Sequence, residues 1–76
     1  MTKTADQMLD AKGLSCPMPL MKLSKLIRTM TPGQVLRVEA TDPCFKPDAK
    51  AWCEMTGNEI EFSQDGQTIV ALVTKK

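Results

Sequence analysis

Three cysteines carry the chemistry that this 76-residue sequence suggests, and they are Cys16, Cys44 and Cys53. The chain contains no histidine. Neither a Cys–His nor a Ser–His catalytic pair can therefore form within it, and a histidine-ligated metal site is also excluded. The chain contains no CxxC spacing, so we predict no metal site. Because the chain has no histidine to act as a general base, a reactive thiolate suits exchange with another sulfur species better than hydrolysis.

Cys16 lies in a stiff segment, Gly13-Leu14-Ser15-Cys16-Pro17-Met18-Pro19. Pro17 and Pro19 each fix a φ angle and lack an N–H, so they hold the thiol on a turn ahead of a helix. Two helix starts remain open. If Pro17 begins the helix, Cys16 is the N-cap and the Met18 N–H can reach its sulfur; if Met18 is the cap, Cys16 lies one residue outside. Both starts place Cys16 near the positive end of the dipole, with Pro17, Met18 and Pro19 shaping the site.

Basic side chains near Cys16 are candidates for stabilising its thiolate or for docking a partner. A cysteine pKa must fall by about 1.5 units, roughly 2 kcal/mol, for half ionisation at pH 7, whereas an exposed helix terminus contributes only about 0.3 to 1 kcal/mol. The basic candidates are Lys12, Lys22, Lys25 and Arg28. The last three recur every third residue and form a basic ridge, which is either a solvated helix face or a docking surface for an acidic partner.

The other two cysteines have different environments in the sequence. Cys44 follows the Thr41-Asp42-Pro43 turn and is either an ordinary loop residue or a second thiol that resolves an oxidised Cys16. Cys53 lies beside Trp52 in a pattern typical of a buried helix face, so we predict a small core hydrophobe.

Hydrophobic periodicity predicts six elements in the order βαβαββ. The predicted strands cover residues 8–11, 35–40, 60–62 and 68–74. The first helix is indicated by a spacing near 3.6 over Leu20, Leu23, Ile27 and Met30, and Pro32-Gly33 ends it.

The second helix is predicted from Pro47 near its first position and Asp48 in its first turn, with Gly57 at its end. Its core-facing stripe is predicted to contain Ala49, Trp52, Cys53 and either Met55 or Thr56.

This order predicts an α/β two-layer sandwich in which two helices cover one face of a small, mixed, four-stranded sheet. A right-handed β-α-β connection makes the first two strands parallel, so both strand-to-helix loops emerge at the same edge of the sheet. Ligand and catalytic groups collect at this edge in α/β proteins. We therefore expect Cys16 and Cys44 to lie at one edge.

Composition indicates one small domain over residues 1–76, with a frayed start over about residues 1–6. The net charge of +1, two Phe, one Trp and the absence of Tyr make direct nucleic-acid binding a weak hypothesis. The longest apolar run, residues 69–73, is too short to cross a membrane, and the polar start lacks the apolar core of a secretory signal. An odd number of cysteines without such a signal favours free thiols. We expect a cytoplasmic monomer.

The segment from Gly13 to Pro19 resembles the Cys-Pro-x-Pro signature of TusA-like (SirA-like) sulfur-carrier proteins. The resemblance runs from about Leu9 to Val73 and includes the segments Pro32-Gly33, Thr41-Asp42-Pro43 and Thr56-Gly57-Asn58-Glu59. The sequence departs from the family in two places. Many relatives have His where this chain has Asn58, and Cys44 is not part of the motif.

The resemblance implies a sulfurtransferase without a cofactor, in which Cys16 accepts sulfane sulfur as a transient persulfide and passes it to an acceptor thiol. It implies a cysteine desulfurase or a rhodanese as sulfur donor and a downstream relay protein as acceptor. The pathways served by such relays are tRNA thiolation, molybdenum-cofactor synthesis and sulfur oxidation. The alternative function is a thiol-disulfide redox module built on Cys16 and Cys44.

Overall fold

The computed structural model describes residues 5–15 and 17–76, and their elements follow the predicted order βαβαββ. The strands are Gln7–Ala11 (β1), Val35–Ala40 (β2), Glu59–Asp65 (β3) and Thr68–Thr74 (β4). The helices are Met18–Ile27 (α1) and Phe45–Thr56 (α2). Residues 1–4 of the predicted frayed start lie outside the described residues, whereas Asp6 is bonded to Val35 through both its N–H and its carboxylate, each at 2.8 Å.

The four strands form one mixed sheet in the order β1-β2-β4-β3. β1 and β2 run parallel, with Gln7 opposite Leu36 and Ala11 opposite Ala40. β4 is antiparallel to both of its neighbours. The parallel pair confirms the predicted β-α-β connection, so α1 and α2 both begin at the carboxyl ends of their strands.

The core lies between one face of the sheet and the two helices. Alternate β2 residues, Leu36, Val38 and Ala40, belong to the same buried cluster as Leu23 of α1 and residues of α2. Because a strand's side chains alternate between its faces, both helices cover the same face of the sheet. The two-layer α/β sandwich is thus confirmed.

Each helix buries one narrow stripe. In α1 the buried residues are Pro19, Leu23 and Ile27, spaced by four, as expected for a helix that faces the core on one side only. Gly57, at φ 80°, ends α2 in the left-handed region that a residue without Cβ adopts most easily.

The start and the stripe of α2 differ from the sequence prediction. The helix begins at Phe45, so Pro47 is its third residue instead of its first. Asp42 causes the earlier start, because its carboxylate accepts the Cys44 N–H and its carbonyl accepts the Phe45 N–H, both at 3.0 Å. A proline is still tolerated there, since first-turn N–H groups have no intrahelical acceptor.

The prediction that Met55 or Thr56 faces the core was wrong. Met55 is 87% exposed and Thr56 is also exposed, whereas Phe45, Ala49 and Cys53 form the buried stripe. The four-residue spacing of this stripe continues from Cys53 to Gly57, where the helix ends, so neither Met55 nor Thr56 lies on it. Neither helix of the described residues has the length and apolar character that crossing a membrane requires.

Candidate functional site

The two strand-to-helix loops meet at one edge of the sheet. The Gly13 N–H, in the loop after β1, donates a hydrogen bond to Thr41 Oγ1, in the loop after β2, at 3.0 Å. Gly13 has a φ of 81°, which turns the chain sharply after β1. The contact between residues 28 positions apart confirms that both loops emerge at the same edge.

Cys16 itself lies outside the described residues, and the structure around it is defined by its neighbours in the sequence. Ser15 and Pro17 are exposed, and the N-cap of α1 is Pro17, at φ −97° and ψ 15°. The observed cap lies between the two starts that the sequence left open. The Met18 N–H donates to the Ser15 carbonyl at 2.9 Å. The prediction of this N–H as an open donor for the Cys16 sulfur is therefore corrected, because the turn itself uses it.

The two prolines of the motif have different environments. Pro17 is exposed, whereas Pro19 is among the fully buried residues of the core. Between them, Met18 is 43% exposed. Pro19 thus anchors the start of α1 in the core, while Pro17 and Met18 stay at the surface beside the cysteine in the sequence.

Lys12 is held by carboxylates instead of standing free. Its Nζ donates to Glu39 Oε1 at 2.8 Å and lies 3.3 Å from Asp10 Oδ1. The hydrogen bond to Glu39, followed by that to Asp10, raises the pKa of the Lys12 ammonium. The backbone N–H of Lys12 is the largest cause that lowers the pKa of Asp10. The positive charge of Lys12 is therefore compensated by its neighbours.

The basic ridge Lys22-Lys25-Arg28 is exposed along α1. A row of every third residue runs obliquely over a helix, so the ridge crosses from one flank of α1 to the other. Lys22 lines a groove of about 290 Å³ between α1 and β1, Arg28 lines a groove between α1 and α2, and Lys25 lines both. The three side chains form no ion pair with any residue among 5–15 and 17–76.

A groove of about 550 Å³ lies between the helices, beside Pro17, the residue that follows Cys16. It is lined by Pro17, Leu20, Met21, Ser24, Lys25, Arg28 and Trp52. Its surface is mainly apolar, and its cations lie at the far end of α1. Such a groove can receive an apolar side chain of a partner with an acidic residue nearby.

The described cysteines differ in exposure. Cys44, the N-cap residue of α2, is exposed and free. Cys53 is 1% exposed, and burial raises the pKa of its thiol to about 11. Because the thiolate is the reactive form, Cys53 is inert at neutral pH. The prediction of Cys53 as a core residue is confirmed.

Three residues of this region were not recognised from sequence. Glu39 and Thr41 hold the loop after β1, and Trp52 is only partly buried and lines the groove. Trp52 had a weak signal, because it lies at the margin of the buried helix stripe. Glu39 and Thr41 had none, because their partners are distant in the chain. Asn58 has a structural role: its Oδ1 accepts the Lys76 N–H at 3.0 Å, and its amide donates to Thr56.

The fold and the site define a class: a small two-layer α/β sandwich in which two strand-to-helix loops meet at one edge of the sheet beside open grooves. Residues 7–75 match the model of the family described as sulfurtransferase TusA. The chain belongs to this family of sulfur carriers. At this general level, the activity of the chain is sulfur transfer from a donor protein to an acceptor protein.

Similar proteins of known sequence cover nearly the whole chain. The sulfur carrier protein TusA of Allochromatium vinosum is 44% identical over 71 residues, which is 92% of this chain and 93% of that protein. The sulfur carrier protein TusA of Pseudomonas aeruginosa is 39% identical over 77 residues, with coverage of 100% and 98%.

A solved structure supports the fold independently. The SirA-like protein from Desulfitobacterium hafniense superposes with a TM-score of 0.80 at 21% identity, covering 90% of this chain and 95% of that one. At this identity the likeness concerns the fold alone. It agrees with the βαβαββ sandwich described above.

Proposed function

We propose that this protein carries sulfane sulfur as a persulfide on Cys16 and transfers it to the thiol of an acceptor protein. Family membership over residues 7–75 is the observation that carries the proposal. The chain's own chemistry supports it. Cys53 is buried, Cys44 lies outside the family motif, and Cys16 is the cysteine of the Cys-Pro-x-Pro segment.

The transfer consists of two successive thiol exchanges. Cys16 is the attacking thiolate in the first and the leaving thiolate in the second. The Cys16 thiolate attacks the outer sulfur of the donor persulfide, the donor's S–S bond breaks, and the donor thiolate leaves with the bonding electron pair. Cys16 then holds the outer sulfur. An acceptor thiolate attacks that sulfur, and the Cys16 thiolate is the leaving group. No net electron is gained or lost, so the exchange needs no cofactor.

The proposed partners are a cysteine desulfurase or a rhodanese as donor and a sulfur-relay protein as acceptor. The proposed destinations of the sulfur are tRNA thiolation, molybdenum-cofactor synthesis or sulfur oxidation. We propose a monomer in the cytoplasm, where thiols stay reduced. The free thiols of Cys44 and Cys53 are consistent with such a compartment.

The docking surface proposed for a protein partner is the helix groove with the basic end of α1. Met21 is 58% exposed and contributes apolar surface near the Cys16 loop, while Lys25 and Arg28 contribute positive charge that no residue among 5–15 and 17–76 pairs with. Exposed apolar groups next to cations are typical of a surface that recognises an acidic partner. Lys22, on the other flank of α1, extends the positive charge toward β1.

The proposal is tested by intact mass under non-reducing conditions, after incubation with a cysteine desulfurase plus cysteine and, separately, with polysulfide. Wild type, Cys16→Ser and Cys44→Ser are compared. We expect wild type and Cys44→Ser to gain a sulfur atom that reductant releases, and Cys16→Ser to gain none. If wild type instead loses two hydrogens and both Cys16 and Cys44 are required, the protein is a thiol-disulfide module and the proposal is wrong.

A further inference from the structure

Two side chains from the end of β2 hold the loop that leads to Cys16. Glu39, the fifth residue of β2, binds the Lys12 ammonium at 2.8 Å, and Thr41 accepts the Gly13 N–H at 3.0 Å. Lys12 and Gly13 are consecutive, and the loop continues through Leu14 and Ser15 to the cysteine. The loop is thus tied to the neighbouring strand by one ion pair and one hydrogen bond.

Glu39 is itself held in place on its other side. Arg37, two residues earlier on the same face of β2, donates from Nε to Glu39 Oε2 at 3.0 Å. The Glu39 side chain is only 17% exposed, although it is charged. Both carboxylate oxygens are therefore engaged, one by the strand and one by the loop, which gives the Lys12 contact a defined direction.

We propose that Glu39 and Thr41 are positioning residues for sulfur transfer, acting through Lys12 and Gly13 on the loop that carries Cys16. The inference rests on the proposed function of Cys16. Thiol exchange requires the attacking, central and leaving sulfurs to align, and a displacement of about 1 Å can cost up to about 100-fold in rate. Two contacts at the start of the loop restrict the directions in which its chain can leave β1.

A different role for Lys12 would be to stabilise the thiolate by its charge. The structure argues against this role, because the Lys12 ammonium is compensated by Glu39 and Asp10. The two roles predict different outcomes for Glu39→Gln in two measurements, the rate of Cys16 alkylation and the rate of sulfur transfer. Removing the carboxylate frees positive charge near the loop, which a field effect would register as faster alkylation of Cys16. A positioning role requires sulfur transfer from a protein donor to become slower.

Thr41→Val is the sharpest test, because valine keeps the branched shape of threonine and replaces the hydroxyl that accepts the Gly13 N–H with a methyl group. Thr41→Ser is the matched variant that keeps the hydroxyl. Transfer from a persulfide-loaded cysteine desulfurase is measured at increasing donor concentration in single-turnover mode. We expect Thr41→Val to lower the maximal rate about tenfold and to leave the half-saturating donor concentration unchanged. Thr41→Ser should restore the rate.

Alkylation by iodoacetamide, followed by peptide mapping, separates positioning from general loosening of the fold. The Cys44 rate reports the exposed second loop, and Cys53, which is buried, reports opening of the core. Both rates should be unchanged in Thr41→Val, as should the pH profile of Cys16 alkylation. A changed profile that accounts for the whole loss would overturn positioning and assign an electrostatic role.

A double-mutant cycle of Lys12→Met and Glu39→Gln tests the ion pair. If the two residues act as one contact, each single variant slows transfer and the double variant is no slower than the slower single one. Wild-type transfer rates in both Thr41→Val and Glu39→Gln would disprove the inference. The proposed function would survive that result, since its own test is loss of sulfur loading in Cys16→Ser.

Discussion

The molecule contains two successive strand-loop-helix units, residues 7–27 and 35–56, which place similar residues in different environments. Each unit has a cysteine next to its helix and a proline in the first helical turn. The first unit has three basic residues against one acid, and the second has three against four. Only the first has a run of cations without acidic neighbours.

The two loops also differ in what holds them. The second is closed locally, by Asp42 bonding to Cys44 and Phe45 within three residues. The first also has local bonds, from the Lys12 N–H to Asp10 Oδ1 and from the Leu14 N–H to the Ala11 carbonyl, but the Lys12 side chain ties it in addition to Glu39 of β2. The Gly13–Thr41 hydrogen bond joins the two loops to each other. The ion pair to a neighbouring strand is therefore what distinguishes the first loop. The comparison teaches that equivalent positions in two similar units need not share a function.

The largest expected effect is on the pH dependence of the free energy of unfolding. It comes from the buried Cys53 thiol of the second unit and not from the exposed Cys44 thiol. The folded pKa of Cys53, at about 11, lies above its ordinary value of 9.0. Above about pH 9 the unfolded chain loses this proton before the folded one, so the free energy of unfolding should decrease until about pH 11, by at most about 3 kcal/mol. Denaturant unfolding from pH 8 to 11 measures it.

Cys53→Ala and Cys44→Ser are the controls for this pH dependence. Cys53→Ala should be less stable at neutral pH, because it leaves a small cavity, and should show a smaller loss above pH 9. Cys44→Ser should follow wild type, because this thiol is exposed. An unchanged slope in Cys53→Ala would show that other groups cause the loss.

The next effect concerns the prolines at the two helix starts. Pro19 is fully buried, whereas Pro47 is exposed. Pro19→Ala should lower the free energy of unfolding by about 2 kcal/mol, since packing and chain stiffness are both lost. Pro47→Ala loses mainly stiffness and should cost less than about 1 kcal/mol. Equal destabilisation would mean that burial of the Pro19 ring contributes nothing.

Charge reversal should slow sulfur transfer when it is made on the basic ridge of α1, and not when it is made on α2. Lys25→Glu with Arg28→Glu should slow sulfur transfer from a protein donor about tenfold at low salt, and less at high salt, since steering by charge is screened. Reactivity of Cys16 with polysulfide should not change. Lys50→Glu, at an exposed position of α2, is the matched control and should transfer at the wild-type rate. An equal loss in the control would indicate a general charge effect.

The smallest expected effect is the acid sensitivity of the contact between the units. Lys12, followed by Arg37, holds the pKa of Glu39 below its usual value of 4.5. The contribution of this carboxylate to stability is complete above pH 4.5 and is lost as the pH falls through the lower folded value. Glu39→Gln should therefore flatten acid unfolding below pH 4.5, followed by circular dichroism. A profile identical to wild type would exclude the pair as a contributor.

Local patterns in the sequence predicted most of the fold. Period-two and period-3.6 spacings predicted the elements, and Gly57 predicted the end of α2, because these signals depend on neighbouring residues. The predicted end of α1 at Pro32-Gly33 was wrong. The helix ends at Ile27, and the N–H groups of Thr29 and Met30 bond three residues back in tight turns. The start of α2 was predicted two residues late. There the Asp42 turn decided the boundary, and proline, tolerated throughout the first helical turn, did not mark one position.

The candidate site was predictable only in part. Cys16 and its prolines follow from a short motif, and the meeting of the two loops follows from the handedness of β-α-β connections. The environment of Lys12 could not be predicted from the sequence, because no spacing rule connects this lysine with a carboxylate 27 residues later. Trp52 was assigned to the core stripe, but it is only partly buried and its side chain lies on the wall of the groove.

The sequence by itself determined the element order, the burial of Leu23, Ile27, Ala49 and Cys53, and the cysteine that the family motif marks, because each depends on residues that are close in the chain. The tertiary structure alone decided which charges are free. The parallel β1–β2 register sets Asp10 opposite Glu39, and the Lys12 ammonium, directly after β1, is compensated by both carboxylates. Lys25 of α1 and Arg28, its C-cap, form no ion pair with any other described residue. Compensation depends on distances across the fold, and sequence separation does not encode them.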